Sequence, residues 1–136
     1  MKQAIARILV AEDSFANREL ITEILTLNGY AVTVADDGAA AIACLEKCRY
    51  DLALLDIQMP VLDGYQVMER MRAHHEWSAI PIVALTAYAM RGDREHALRA
   101  GFDGYVTKPI DVRLLLTTIE RLRAQAAAKR TSTQVS

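Results

Sequence analysis

Five short strand-like runs recur along this chain, and helical patterns fill the intervals between them. The runs are Ile8-Leu9-Val10-Ala11, Ala31 to Ala35, Leu52-Ala53-Leu54-Leu55, Ile82 to Leu85 and Gly104 to Thr107. Short apolar runs flanked by polar residues read as strands buried on both faces, the habit of a parallel sheet. Each has a helix after it. Ser14 caps the first, with apolar positions Leu20, Ile21, Ile24 and Leu25 and a close at Asn28-Gly29. Asp36-Asp37-Gly38 turns into an alanine-rich helix ending near Cys48, and Gly64 precedes a helix with Val67, Met68 and Met71 inward. Arg91 to Ala100 predicts a short charged helix stopped by Gly101. Asp111 caps a last helix with Val112, Leu115, Leu116, Ile119 and Leu122 inward.

Strands alternating with helices predict an α/β fold, a doubly wound five-stranded parallel sheet with five helices on both faces. A single domain is expected over residues 1–125. Residues 126–136 read as the end of the last helix and a fraying tail. At 136 residues, 52 % of them apolar, the chain can bury a substantial core. A net charge of −1 argues against a nucleic-acid-binding protein. No apolar stretch is long enough to cross a bilayer and the start lacks a signal-peptide core, so the expected compartment is the cytoplasm. Cys44 and Cys48, four apart on a helix, read as a buried or half-buried thiol pair and are assigned no function.

Charge gathers where such a sheet binds ligands, outside the carboxyl ends of the strands. The first strand ends in Glu12-Asp13, the third in Asp56, the fourth in Thr86 and the fifth in Lys108. Right-handed crossovers put these ends on one edge. Like charges a few Å apart cost about 1 kcal/mol per pair in water and several times more when partly buried, so either the acids hold their protons more tightly or a cation is present. All-oxygen ligation with few protein groups suits Mg²⁺, for which Mn²⁺ can substitute. Lys108 offers a fixed positive charge and Thr86 a donor to the oxygens of a transferred group. The site looks built to receive a phosphoryl group on a carboxylate.

Four segments, Glu12-Asp13, Asp56-Ile57-Gln58-Met59-Pro60-Val61-Leu62-Asp63-Gly64, Leu85-Thr86-Ala87 and Tyr105-Val106-Thr107-Lys108-Pro109, together resemble the receiver domain of bacterial two-component response regulators. The resemblance spans roughly residues 6 to 125 and implies the flavodoxin-like strand order 2-1-3-4-5. It implies that Asp56 accepts phosphate from a histidine on a partner kinase or histidine phosphotransfer protein. Asp13, Asp56 and the Gln58 backbone carbonyl would ligate Mg²⁺, with Glu12 acting through water. Lys108 would hold the phosphoryl group, with a cis Lys108-Pro109 bond as in relatives. Thr86 would swing toward the phosphate and Tyr105 would rotate inward with it. Both would reshape the face of the fourth helix, fifth strand and fifth helix, which a downstream protein reads. Gln58 and Tyr88 lie where relatives control access of water to the phosphoryl group, and a bulky Tyr88 predicts slow self-dephosphorylation.

On this reading the protein is not an enzyme with an external substrate; it catalyses only its own phosphorylation and slow dephosphorylation. It needs neither nucleic acid nor membrane and is a monomer or weak homodimer. Met1 and the frayed end favour a single-domain regulator, with a receiver cut from a hybrid histidine kinase as the alternative. An aspartyl-phosphate phosphatase would need a second acid two residues after the nucleophile, where Gln58 stands. A nucleotide- or flavin-binding module would need a glycine-rich phosphate turn, which the chain lacks. Taken singly, Glu12-Asp13 is a helix-capping pair, Thr86 a polar strand end and Lys108 a surface lysine. Their joint placement at one sheet edge is what makes them a site. His74, His75 and His96 read as solvated, Met59, Met68 and Met71 as core filling, and Trp77 as a partly exposed packing residue.

Overall fold

The computed structural model describes residues 4–87 and 90–135. Among them five strands, β1 (Arg7–Ala11), β2 (Ala31–Ala35), β3 (Leu52–Asp56), β4 (Ile82–Thr86) and β5 (Gly104–Thr107), alternate with five helices. The helices are α1 (Phe15–Leu27), α2 (Gly38–Lys47), α3 (Gly64–Ala73), α4 (Asp93–Ala100) and α5 (Val112–Val135). All pairings are parallel and the strand order is β2-β1-β3-β4-β5.

Side chains of a strand alternate between faces, and here both faces are apolar. Leu9, Ala11, Ala53, Leu55, Ile82 and Ala84 join one buried layer, closed by Ala41 and Leu45 of α2, Val67, Met68 and Met71 of α3, and Ala97 of α4. Ile8, Val10, Leu52, Leu54, Val83, Leu85 and Val106 join the other, closed by Ile21, Ile24 and Leu25 of α1 and Leu115, Ile119 and Leu122 of α5. Met59 joins the first layer, as expected of a core methionine.

The helix starts follow the capping residues. Ser14 Oγ accepts the Asn17 N–H, Asp37 the Ala40 N–H, and Asp111 the Leu114 N–H. Asp63 and Gln66 form a reciprocal capping box at α3.

Several expectations need correction. Leu20 is 43 % exposed: it lies about 100° round the helix from Ile21, at the margin of the α1 stripe. Val112 is 46 % exposed because it opens α5, before the helix meets the sheet. Helix α4 begins at Asp93 and not Arg91, since Gly92 takes a left-handed conformation (φ 89°) and serves as the cap. Cys48 is exposed at the end of α2 while Cys44 is half-buried, so the two do not share a buried environment. Helix α5 continues to Val135, past the point where fraying was expected. Its continuation contains Ala126, Ala127, Ala128, Lys129 and Arg130, all strong helix formers.

Candidate functional site

Register delivers the acids to one edge. Ala11 pairs with Leu55, so the next residues of the two chains, Glu12 and Asp56, stand side by side. Asp56 pairs with Leu85, and Thr86 with Thr107, which brings Thr86 and Lys108 to the same edge. The Lys108 N–H donates to the Thr86 carbonyl at 2.8 Å, one rung beyond the β4–β5 pairing. Glycine lets the loop after β3 return to this edge. A Cβ at Gly64 would stand 2.5 Å from the Asp56 carbonyl oxygen, so the start of α3 can lie against the strand end only without a side chain there.

Glu12 is fully buried and Asp56 is 3 % exposed, whereas Asp13 faces solvent. Carboxylate oxygens of all three approach within 4.8 Å of one another. Lys108 reaches in from β5. Its ammonium donates to Asp56 Oδ2 at 2.8 Å and forms a closer ion pair with Glu12 Oε1. Burial alone would pull the Lys108 ammonium down, but hydrogen bonds and charge from Asp56 and Glu12 outweigh it. The net effect holds the lysine above its ordinary 10.5. The other Asp56 oxygen, Oδ1, accepts the Gln58 N–H at 2.9 Å.

One ammonium against three carboxylates leaves negative charge uncompensated in a largely buried place. The donor set is all oxygen, one member is open to solvent, and the chemistry fits a hard divalent cation. Residues Asp13 and Asp56 could ligate such an ion directly.

Thr86 is buried at the end of β4. Tyr105 on β5 is half-buried, with its hydroxyl covered from solvent and turned toward Thr86. Burial, then the charge of Asp93, holds the Tyr105 phenol above its ordinary value, with the Thr86 hydroxyl opposing. The Lys108-Pro109 bond is cis. The contact seen for Gln58 is its N–H on Asp56; its side chain is exposed. Tyr88 lies outside the described residues.

Two supporting residues escaped the sequence reading. Arg18 Nη1 donates to the Glu12 carbonyl at 2.8 Å, and Gly38 lies against the backbone of Leu62. Arg18 sits in the polar part of the α1 pattern, six residues after Glu12, and only the fold shows that it folds back.

Residues 8–120 match the response regulator receiver domain. The chain belongs to that family. Among curated relatives, this receiver is 42 % identical over 120 residues to the hybrid signal transduction histidine kinase I of Dictyostelium discoideum. That match covers 83 % of the chain but 7 % of the kinase. It is 33 % identical to the polar-differentiation response regulator DivK of Brucella anthropi, covering 83 % of the chain and 92 % of DivK. The chain therefore spans a small fraction of some relatives and nearly the whole of others. Among solved structures, the receiver domain of the sensor histidine kinase PA1611 from Pseudomonas aeruginosa superposes with a TM-score of 0.80 at 39 % identity. That match covers 88 % of this chain and 98 % of the other, and the PA1611 receiver holds a magnesium ion in its active-site cleft. Among the described residues of this receiver, no helix is long and apolar enough to cross a membrane.

Proposed function

We propose that this receiver is phosphorylated on Asp56 by a phosphohistidine of a histidine kinase or histidine phosphotransfer protein, in a Mg²⁺-dependent reaction. The observation that carries the proposal is Lys108 clamped between Asp56 and Glu12 while Asp13 completes an acidic trio.

Asp13, Asp56 and the Gln58 carbonyl would hold the magnesium ion, with Glu12 acting through water. Bound there, the ion would neutralise charge on the acids and on the incoming phosphoryl oxygens. An Asp56 carboxylate oxygen attacks phosphorus, an O–P bond forms as the N–P bond breaks, and the phosphohistidine ring, protonated on its other nitrogen, leaves as neutral imidazole. Lys108 then turns from the Asp56 carboxylate to a phosphoryl oxygen, keeping its proton as a charge-assisted donor. Thr86 supplies a hydroxyl to another oxygen. The new group adds roughly −1.5 to −2 charge and three acceptor oxygens, which biases a pre-existing two-state equilibrium. The readout is the α4–β5–α5 face, where Tyr105 abuts Thr86. The protein turns over no external substrate and works in the cytoplasm as a monomer or weak homodimer.

A second reading, a receiver belonging to a longer hybrid kinase, is favoured by the kinase relatives of which the chain spans 7 % and 13 %. The reading frame in the genome separates the two.

The test is incubation with Mg²⁺ and acetyl phosphate followed by intact mass. One phosphoryl group should appear, be removed by hydroxylamine, and be absent without metal and in Asp56→Asn. Phosphorylation that persists in Asp56→Asn, or proceeds in excess chelator, would overturn the proposal.

A further inference from the structure

The turn from Glu12 to Ser14 carries two of the three acids, and Ser14 is tied into α1, its hydroxyl accepting the Asn17 N–H and its carbonyl the Arg18 N–H. The Glu12 N–H donates to the Ala35 carbonyl at 3.0 Å, extending the β1–β2 ladder, and the Ser14 N–H donates back to Glu12 Oε2 at 3.2 Å. Neither bond fixes the peptide that joins Glu12 to Asp13. That peptide's oxygen is the Glu12 carbonyl, and it accepts from Arg18 Nη1 at 2.8 Å. Asp13 is exposed, so no packed neighbour dictates where its carboxylate points. Its backbone does. If the Glu12–Asp13 peptide rotates, the Asp13 carboxylate leaves the trio.

Arg18 is well placed for this role. It projects from α1 with its guanidinium 5.7 Å from the centroid of the Phe15 ring, so an aromatic face from the first turn lies along the fork. A planar fork held this way loses little freedom when it binds a carbonyl.

We infer that Arg18 is a positioning residue for the metal-binding turn: it holds the Glu12–Asp13 peptide so that Asp13 faces Asp56. The inference rests on the reading of the site as a magnesium-dependent phosphoacceptor. Charge and geometry pull in opposite directions here, which makes the role testable. As a bare cation near three carboxylates, Arg18 competes with a divalent ion, and its removal tightens metal binding. As a clamp on the turn, its removal weakens it.

The experiment is calorimetric titration of the full chain with MgCl₂ at constant ionic strength, for wild type, Arg18→Met and Arg18→Lys. Methionine keeps the packing against Phe15 but has neither donor nor charge. Its Mg²⁺ affinity falls about tenfold, the lower end of what partners that orient metal ligands contribute. Lysine, a shorter donor of the same charge, recovers part of the loss. In phosphorylation by acetyl phosphate, the Mg²⁺ concentration for half-maximal rate rises about tenfold in Arg18→Met. The rate at saturating Mg²⁺ stays within about twofold, a split that general damage to the fold does not produce. Unchanged or tighter Mg²⁺ binding in Arg18→Met overturns the role, as does a rate that stays low at saturating metal. A wild-type chain that binds no Mg²⁺ overturns the reading of the whole site and this role with it. Binding in the wild type that Arg18→Met leaves unaltered overturns the role alone.

Discussion

Gly38 lies so close beneath Leu62 that a Cβ at position 38 would stand 2.1 Å from the Leu62 carbonyl oxygen. The start of α2 and the loop after Asp56 therefore meet backbone to backbone. Intrinsic propensity favours Gly38→Ala by up to about 1 kcal/mol inside a helix. The contact reverses that sign, because the clash is with backbone and not with a flexible tip. We expect Gly38→Ala to lower stability by about 1–3 kcal/mol in urea melts. Mg²⁺ binding should weaken too, since the displaced loop carries Gln58.

The same loop holds Val61 at φ 72°, a left-handed conformation that is costly for a β-branched residue. The Leu62 N–H donates to the Pro60 carbonyl across it at 2.9 Å. Val61 is largely exposed, so little packing is lost on substitution. Val61→Gly should raise stability by about 1 kcal/mol by relieving this strain, read by the urea midpoint.

Lys108→Ala leaves Glu12 and Asp56 buried without their cation. Breaking one side of a buried ion pair costs about 3–5 kcal/mol. The metal-free variant should show a loss near the lower figure, and Mg²⁺ should restore more stability to it than it adds to wild type. Thermal melts with and without 10 mM Mg²⁺ (a concentration of about that order saturates a weak site) give both numbers. Equal shifts in the two proteins would argue that the ammonium does not balance the trio.

Arg72 ties two loops together at the far end of the sheet. It donates to the carbonyls of Ser78, Ile80 and Gly101, and pairs with Asp103 at 2.6 Å. Asp103 in turn accepts the Ile82 N–H at 2.9 Å. Arg72→Ala should cost about 2–3 kcal/mol after allowance for the partial exposure of the pair. Arg72→Lys should recover less than half, because an ammonium cannot reproduce the planar fork.

Burial holds the Tyr50 phenol above its ordinary value of 10.0, with a hydrogen bond from Thr33 opposing. A folded-state value above the unfolded one means that the folded chain binds this proton more tightly. The stability Tyr50 contributes is fully present below pH 10 and is lost as pH rises through the folded value. Urea midpoints should fall above pH 10, and Tyr50→Phe should flatten that fall.

The alternation of apolar runs and helical stripes was enough to read the sheet, because two buried faces demand continuous hydrophobic strands. Asp56, Thr86 and Lys108 were legible for a related reason: polar groups ending such runs must lie at the sheet edge. Leu20 and Val112 misled because a helix stripe has margins, and exposure there depends on where the helix sits on the sheet. Arg18 was silent, and Gly38 showed only as part of a turn. Their roles come from contacts with the backbone of distant residues, and a backbone carbonyl leaves no mark in the pattern of side chains.

The backbone bond between Lys108 and Thr86 sets a ruler inside the site. Adjacent strands keep a spacing near 4.8 Å whatever the loops above them do. The backbone points from which the cation and the hydroxyl extend are hung from that rung, so the spacing of those points is a property of the sheet. Loop residues above the sheet can then drift without shifting the backbone that carries Lys108 and Thr86.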